Sequence, residues 1–307
     1  MKVKKIFPGD IIGFICPSTK MDMESSRIPR LESIIEKLGY KIKYGSSCYA
    51  SEGYLAGTDD LRVNDIHEMF LDPEIKAIIC MKGGYGASRI VDKIDYQIIE
   101  KNPKLFMGFS DITVLLNNFS KYANLPTIHG QVGIFLGRED IDDVSLNDFK
   151  KLLNEDMSGR LFHNSEARCL NSGIAKGKIV GGNLTLITNL VGSMYDIDFK
   201  DNIVFIEEVD EQPYKIDRMF AQLRLSGKLS QAKGFIFGHF TNCDTPDNTQ
   251  TVEQLINEYF NNINVPVITN FASGHEFPFF NIPIGLESIM DADKREIKII
   301  GEIYEKN

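Results

Sequence analysis

From residue 1 to about residue 130 the chain alternates short apolar runs with longer amphipathic stretches. The runs IIGFICP, KIKYG, KAIICMK and KLFMGFS read as β-strands, being brief and bounded by glycine, proline or charge. Between and after them, RIPRLESIIEKLG, DDLRVNDIHEMFLD, ASRIVDKIDYQIIEKN and DITVLLNNFSKYA place apolar residues three and four apart and read as helices. Strands alternating with helices predict a parallel sheet covered on both faces.

The pattern changes after residue 130. GREDIDDVSLNDFKKLLNEDMSG is an acidic, polar helical stretch lying between two patterned halves. Beyond Gly181, GGNLTLITNLVGSM and YKIDRMFAQLRLSGKL read as helices, whereas NIVFIEEVD, AKGFIFGHF, NVPVITNFA and REIKIIGEIY read as strands. At 307 residues the chain exceeds the size at which a single core usually stops growing. The expectation is an α/β fold in two parts: an N-terminal parallel-sheet domain over residues 1–150, a linker region over 151–170, and a smaller C-terminal α+β or barrel-like domain over 171–307.

Composition narrows the functional classes. With 43 acidic against 34 basic residues the net charge is -9. No Lys/Arg cluster provides the footprint that a phosphate backbone requires, so nucleic acid is not an expected partner. The basic, then apolar, N-terminus is interrupted by Pro8, Gly9 and Asp10 and reads as a first strand rather than a signal peptide. No apolar run approaches the ~20 residues that span a bilayer, so no membrane partner is expected. Five scattered cysteines without a C-x-x-C pair argue against a disulfide framework and a thiolate metal site, and fit a reducing, cytoplasmic compartment. His275-Glu276 lacks the second histidine of H-E-x-x-H, and His239 with Cys243 makes only two ligands, so neither metal nor cofactor is expected.

Candidate chemistry gathers at three places. Ser110 falls between the strand KLFMGF and a helix, the setting of a nucleophile elbow, with Gly108 two residues before it. Ile112 stands where that motif has its second glycine, and an N-capping serine fits the same pattern. CMKGGYGASR sets Gly83, Gly84 and Gly86 at the carboxyl end of a strand, where open α/β sheets bind ligands. It is neither a Walker loop nor a dinucleotide fingerprint, and a plain glycine turn is the simpler reading. His275 lies in the Gly/Pro-punctuated loop FASGHEFPFFNIPIG. Glu207 and Glu208 end the strand NIVFIE; alternation sends one to each face, and spacing alone leaves open which could orient an imidazole.

In order and spacing, GDIIGFICPS, KGGYGASRI, KLFMGFSDIT, IHGQ, GGNLTLITNLVGSMYDID, IVFIEEVDEQPYKIDRMFAQL, GFIFGHFTNC and SGHEFPFFNIPIG resemble the LD-carboxypeptidase family through nearly the whole chain. That family includes muramoyltetrapeptide carboxypeptidases and microcin C immunity peptidases. The resemblance implies a Ser-His-Glu triad of Ser110, His275 and Glu207, and favours Glu207 over Glu208. It implies a serine carboxypeptidase that removes a terminal D-amino acid from murein-derived tetrapeptides in peptidoglycan recycling, and a homodimer. Within that reading the backbone N–H groups of Gly84 and Asp111 are the expected oxyanion donors. Lys82, Arg89 and Arg218 are the cations available for the substrate's terminal carboxylate. Two other readings stand beside it: an immunity peptidase cleaving aminoacyl-adenylate analogues, and a non-catalytic peptide-binding protein.

Overall fold

The structure, a computed structural model, describes residues 1–244 and 250–305. They form two compact units. One comprises Met1–Asp156, Asn281–Gly285 and the residues from Glu302 onward; the other comprises Met157–Phe280 and Leu286–Gly301. The chain path is therefore less simple than a cut at one place, because two late segments return to the first unit.

The first unit is built on a six-stranded sheet. Its order is Ile282–Ile284, Thr127–His129, Leu105–Gly108, Ile75–Cys80, Ile11–Ile15 and Lys41–Tyr44. All neighbours pair parallel except the late strand Ile282–Ile284, which adds antiparallel to Thr127–His129. The central strands are apolar on both faces: Ile12, Phe14, Ile15, Ala77, Ile78, Ile79, Leu105, Phe106 and Met107 are all fully buried. Such continuous runs are what a sheet covered on both sides requires. Helix Arg27–Lys37 contributes Ile28, Leu31 and Ile35 to the core, one helical stripe at three- and four-residue spacing. From Ile11–Ile15 the chain moves outward to Lys41–Tyr44, then crosses back to Ile75–Cys80 on the other side. That reversal of strand order is a topological switch point, and the carboxyl ends of Ile11–Ile15 and Ile75–Cys80 flank it, the position favoured for ligands in open α/β sheets.

The acidic stretch after residue 138 forms helix Asp143–Asn154, capped by the Asp142 carboxylate accepting from Ser145 N–H. Rather than a polar bridge, it is amphipathic: Phe149, Leu152 and Leu153 are buried, and the Tyr304 hydroxyl donates to Leu152 O. The segment 87–102, which reads as one helix, is broken instead. A 3₁₀ turn Ala87–Arg89 is followed by a short helix Tyr96–Lys101, whose cap is the Asp95 side chain accepting from Gln97 N–H. The break falls where Asp95 N–H donates to His67 Nε2 at 2.9 Å instead of to a carbonyl of the preceding turn.

The second unit carries an eight-stranded mixed sheet in the order Leu161–His163, Glu296–Ile299, Glu287–Asp291, Ile174–Asn183, Ile203–Val209, Gly234–Thr241, Val267–Thr269 and Arg168–Asn171. Strand Ile174–Asn183 joins its two halves. Residues 174–178 pair antiparallel with Glu287–Asp291, and residues 179–183 pair parallel with Ile203–Val209. The stretch GGN, read above as the start of a helix, is therefore the end of this strand. Only glycine fits at 181, with φ +109° and the Phe205 carbonyl 2.1 Å from where a Cβ would stand. Helices Pro213–Leu225 and Val252–Phe260 pack Phe220 and Phe260 on Phe235 and Phe237 of the sheet, with ring centroids 4.7–6.3 Å apart. No helix among the described residues is long and apolar enough to cross a membrane.

Candidate active site

Ser110 sits at a sharp turn. The chain leaves strand Leu105–Gly108, passes Phe109 in extended conformation, and holds Ser110 at φ +63° before the 3₁₀ turn Ser110–Ile112 leads into helix Thr113–Tyr122. A non-glycine residue in the left-handed region costs of order 1–2 kcal/mol and marks a position held by its surroundings. The serine is not an N-cap. Neither the 3₁₀ turn nor the helix receives a side-chain cap, and the Ser110 hydroxyl has no hydrogen-bond partner among the described residues. Gly108 is needed for the turn, because a Cβ there would approach Ile112 Cγ2 to 2.8 Å.

The glycine loop is packed directly behind the turn. A Cβ on Gly83 would stand 3.0 Å from Ser110 Cβ and 3.3 Å from Asp111 N, so any side chain there would crowd the turn. Gly84, at φ +100°, turns the backbone onto Thr19, whose hydroxyl accepts from Tyr85 N–H at 2.9 Å. The N–H groups of Gly84 and Asp111 have no acceptor among the described residues. Both are therefore open to an anion held near the turn.

The Asp111 side chain locks these pieces together. It is almost fully buried and accepts from Ser18 Oγ and from Ala87 N–H at 2.8 Å. Burial lifts its carboxyl above the ordinary value, against the pull of those hydrogen bonds and of Arg62. Arg62, fully buried in helix Asp59–Leu71, donates to Pro17 O at 2.7 Å and Gly86 O at 2.9 Å and pairs with Asp59. One carboxylate and one guanidinium thus tie the ends of strands Ile11–Ile15 and Ile75–Cys80 to the turn after Leu105–Gly108.

In the second unit, Glu207 and His275 meet. Glu207 is fully buried on strand Ile203–Val209, and its Oε2 lies 2.7 Å from His275 Nδ1. Against a carboxylate, Nδ1 carries the proton, which leaves Nε2 as the unprotonated ring nitrogen. Burial lowers the imidazole pKa, but the Glu207 charge and hydrogen bond, helped by Glu208 and Asp210, outweigh it and leave it raised above the ordinary histidine value. Glu208 faces the other way. Its carboxylate accepts from Asn183 Nδ2 at 2.7 Å, from Thr185 N–H and Oγ1 at 2.8 and 2.7 Å, and from Val209 N–H at 2.9 Å. It stitches helix Leu184–Asn189 to the sheet, and burial together with the Glu207 charge raises its pKa. The His275 loop is shaped by Gly274 at φ +143°, where a Cβ would come within 2.9 Å of His239 Cβ. It is closed by Phe280 N–H donating to Ala272 O and Ser273 Oγ donating to Phe280 O.

Comparison with known proteins bears on the whole chain. Residues 12–130 match the LD-carboxypeptidase N-terminal domain, and residues 176–290 match the LD-carboxypeptidase C-terminal domain. The chain belongs to the LD-carboxypeptidase family. It is 36% identical to a probable murein peptide carboxypeptidase of Bacillus subtilis (strain 168), over 99% of this chain and 96% of that protein. Among solved structures it is similar to a muramoyltetrapeptide carboxypeptidase from Oxalobacter formigenes, with TM-score 0.81 and 25% identity, covering 96% of this chain and 100% of that one. The microcin C7 self-immunity protein MccF shares the fold with TM-score 0.92 at 23% identity, covering 99% of this chain and 100% of that one.

This LD-carboxypeptidase treats its three candidate cations differently. Arg89 is engaged, with Nε 3.0 Å and Nη2 3.3 Å from the Asp59 carboxylate, which Arg62 and Lys93 also hold. Arg218 lies on the exposed side of helix Pro213–Leu225, 5.5 Å over the Tyr214 ring. Lys82 is half-buried, adjoins Gly83, and makes no hydrogen bond or ion pair among the described residues. Of the other histidines, His129 is fully buried with its ring 5.8 Å from that of Phe109. His67 accepts from Asp95 N–H at 2.9 Å, and His163 lies exposed on strand Leu161–His163.

Sequence reasoning missed the bracing residues of this LD-carboxypeptidase: the Asp111 carboxylate, Ser18, Arg62, Asn183 and Thr185. One signal was available, because an arginine two positions beyond an acidic pair in DDLRV lies on the apolar stripe of its helix. Nothing local marks the others, whose partners are distant in sequence.

Proposed function

We propose that this peptidase is a serine carboxypeptidase that cleaves the L,D-amide bond to the terminal D-amino acid of murein tetrapeptides, with Ser110 as nucleophile, His275 as base and Glu207 as its orienting carboxylate. The observation that carries the reading is the buried Glu207 carboxylate 2.7 Å from His275 Nδ1, in a chain whose elbow presents a serine hydroxyl with no other partner among the described residues. Ser110 Oγ attacks the carbonyl of the third residue while His275 Nε2 takes its proton. Glu207 holds the Nδ1 tautomer and stabilises the imidazolium. The oxyanion is received by the N–H groups of Gly84 and Asp111, an arrangement in which each donor is worth about 10²- to 10³-fold in turnover. His275 then protonates the departing D-amino acid nitrogen, and water activated by the same imidazole releases the acyl group from Ser110. Lys82, being uncommitted and beside the glycine loop, is the cation we assign to the substrate's free carboxylate. The reading includes a cytoplasmic murein-recycling role and a homodimer, the latter checked by light scattering.

The purified protein is expected to release D-alanine from L-Ala-γ-D-Glu-diaminopimelate-D-Ala without added metal and with an undiminished rate after chelator treatment. Absence of release, or loss of activity to the chelator, would sink the serine mechanism. The raised pKa of His275 sets the pH response. The base works only as neutral imidazole, so a raised pKa moves the acid limb of kcat/KM upward, to a midpoint above the ordinary histidine value of 6.5. Rates measured from pH 5 to 9 check this, and a midpoint below 6.5 would contradict the Glu207 pairing.

A further inference from the structure

Two tyrosine rings stand in solvent beside the glycine loop. Tyr54 is 57% and Tyr85 51% exposed, and their rings meet edge to face with centroids 5.6 Å apart. Neither hydroxyl has a hydrogen-bond partner among the described residues. Their backbones are nevertheless held. Tyr85 N–H donates to Thr19 Oγ1, Tyr54 O accepts from Lys20 N–H at 3.1 Å, and Ala56 N–H donates to Ser18 O at 3.0 Å. Both rings therefore hang from the segment around residues 18–20, in which Ser18 braces Asp111. Large aromatic side chains that are exposed, mutually packed and anchored next to a reacting group are unusual on a surface with no ligand to cover.

We propose that the Tyr54–Tyr85 pair is the subsite for the amino-sugar ring of a muramoyl peptide, so that this chain favours the sugar-bearing form of its tetrapeptide over the free peptide. The inference rests on the carboxypeptidase reading given above and names what lies at the far end of its substrate. The peptide part of such a substrate offers carboxylates, amides and an ammonium group, which call for charges and backbone. The sugar alone offers a flat C–H face, which suits the electron-rich face of a phenol ring, together with hydroxyls that suit unpartnered phenol oxygens. The reach also agrees. Tyr85 is two residues from Gly83, which touches Ser110, so its backbone lies within about 7 Å of the glycine. In the substrate three residues separate the scissile bond from the sugar, roughly 10 Å when extended; the length of the tyrosine side chain covers the difference.

The test uses Ser110→Ala protein as a receptor without turnover, titrated calorimetrically with N-acetylmuramyl-tetrapeptide and with the tetrapeptide alone. The sugar-bearing ligand is expected to bind about tenfold more tightly. Tyr54→Ala in that background should remove the advantage, and Tyr54→Phe should keep most of it. In the active protein Tyr54→Ala and Tyr85→Ala should raise KM for the sugar-bearing substrate about tenfold with kcat changed less than twofold. Equal affinity for the two ligands, or equal loss of both in Tyr54→Ala, overturns the subsite. A loss confined to an aminoacyl sulfamoyl adenylate overturns it too, making the pair a nucleobase platform. A protein that releases no D-alanine from either peptide refutes the carboxypeptidase reading separately, because the binding arm still decides whether the tyrosines hold a sugar.

Discussion

Replacing Ser110 with alanine will lower D-amino acid release by about 10⁴- to 10⁶-fold while leaving the fold intact, because removing a nucleophile cancels the contribution of the whole relay that serves it. The hydroxyl caps no helix and has no partner among the described residues, so its loss breaks no structural hydrogen bond there. A second substitution sharpens the result. Ser110 occupies φ +63°, a region glycine enters without steric cost, so Ser110→Gly should be as inactive as Ser110→Ala yet more stable than it by about 1 kcal/mol. Release of D-alanine measures the first effect, and urea midpoints of the two variants measure the second. Activity within tenfold of wild type in either variant would exclude Ser110 as nucleophile.

Glu207→Gln will cost about 10³- to 10⁴-fold in kcat, with far smaller change in KM. The carboxylate is fully buried and its bond to His275 Nδ1 is 2.7 Å. An amide there can donate to Nδ1, which puts the ring proton on Nε2 and removes the lone pair that must accept from Ser110. The adjacent Glu208→Gln is the control. Glu208 accepts from Asn183, Thr185 and Val209, and an amide cannot satisfy all of those donors, so that variant should lose about 1–3 kcal/mol of stability while keeping the His275 pairing. Thermal melts and steady-state kinetics on both variants separate the two carboxylates. A larger fall in kcat for Glu208→Gln than for Glu207→Gln would reverse their roles.

The parts of the molecule that could be read from sequence are those governed by short-range pattern. Strands Ile11–Ile15, Ile75–Cys80 and Leu105–Gly108 are apolar at every position but Lys76, and helices Arg27–Lys37 and Pro213–Leu225 show their buried stripe at three- and four-residue spacing. The reading fails where a distant group overrides the local preference. Residues 87–102 have the periodicity of a helix, but Asp95 N–H, in the middle of the stretch, donates to His67 Nε2, 28 positions earlier. GGN looks like a helix start, but it is drawn into the sheet by pairing with the strand that carries Glu207. The stretch around helix Asp143–Asn154 reads as acidic and polar, although Phe149, Leu152 and Leu153 fall on one side of the helix and are buried.

By itself the amino-acid order determined that strands and helices alternate in the first half, that a serine follows a strand at Gly108, and that glycines crowd the end of the strand before it. Those features depend on neighbours within a helical turn or a strand. Local spacing left open which carboxylate faces the histidine, since Glu207 and Glu208 differ by one pleat; the resemblance favoured Glu207, and the tertiary structure pairs it with His275, 68 positions away. It also decided that Arg89 is bound to Asp59 while Lys82 is uncommitted among the described residues, and that Asp111 serves through its side chain as a brace. Each of these outcomes is a choice between chemically equivalent groups, and such choices are made by long-range packing, which leaves no trace in local spacing.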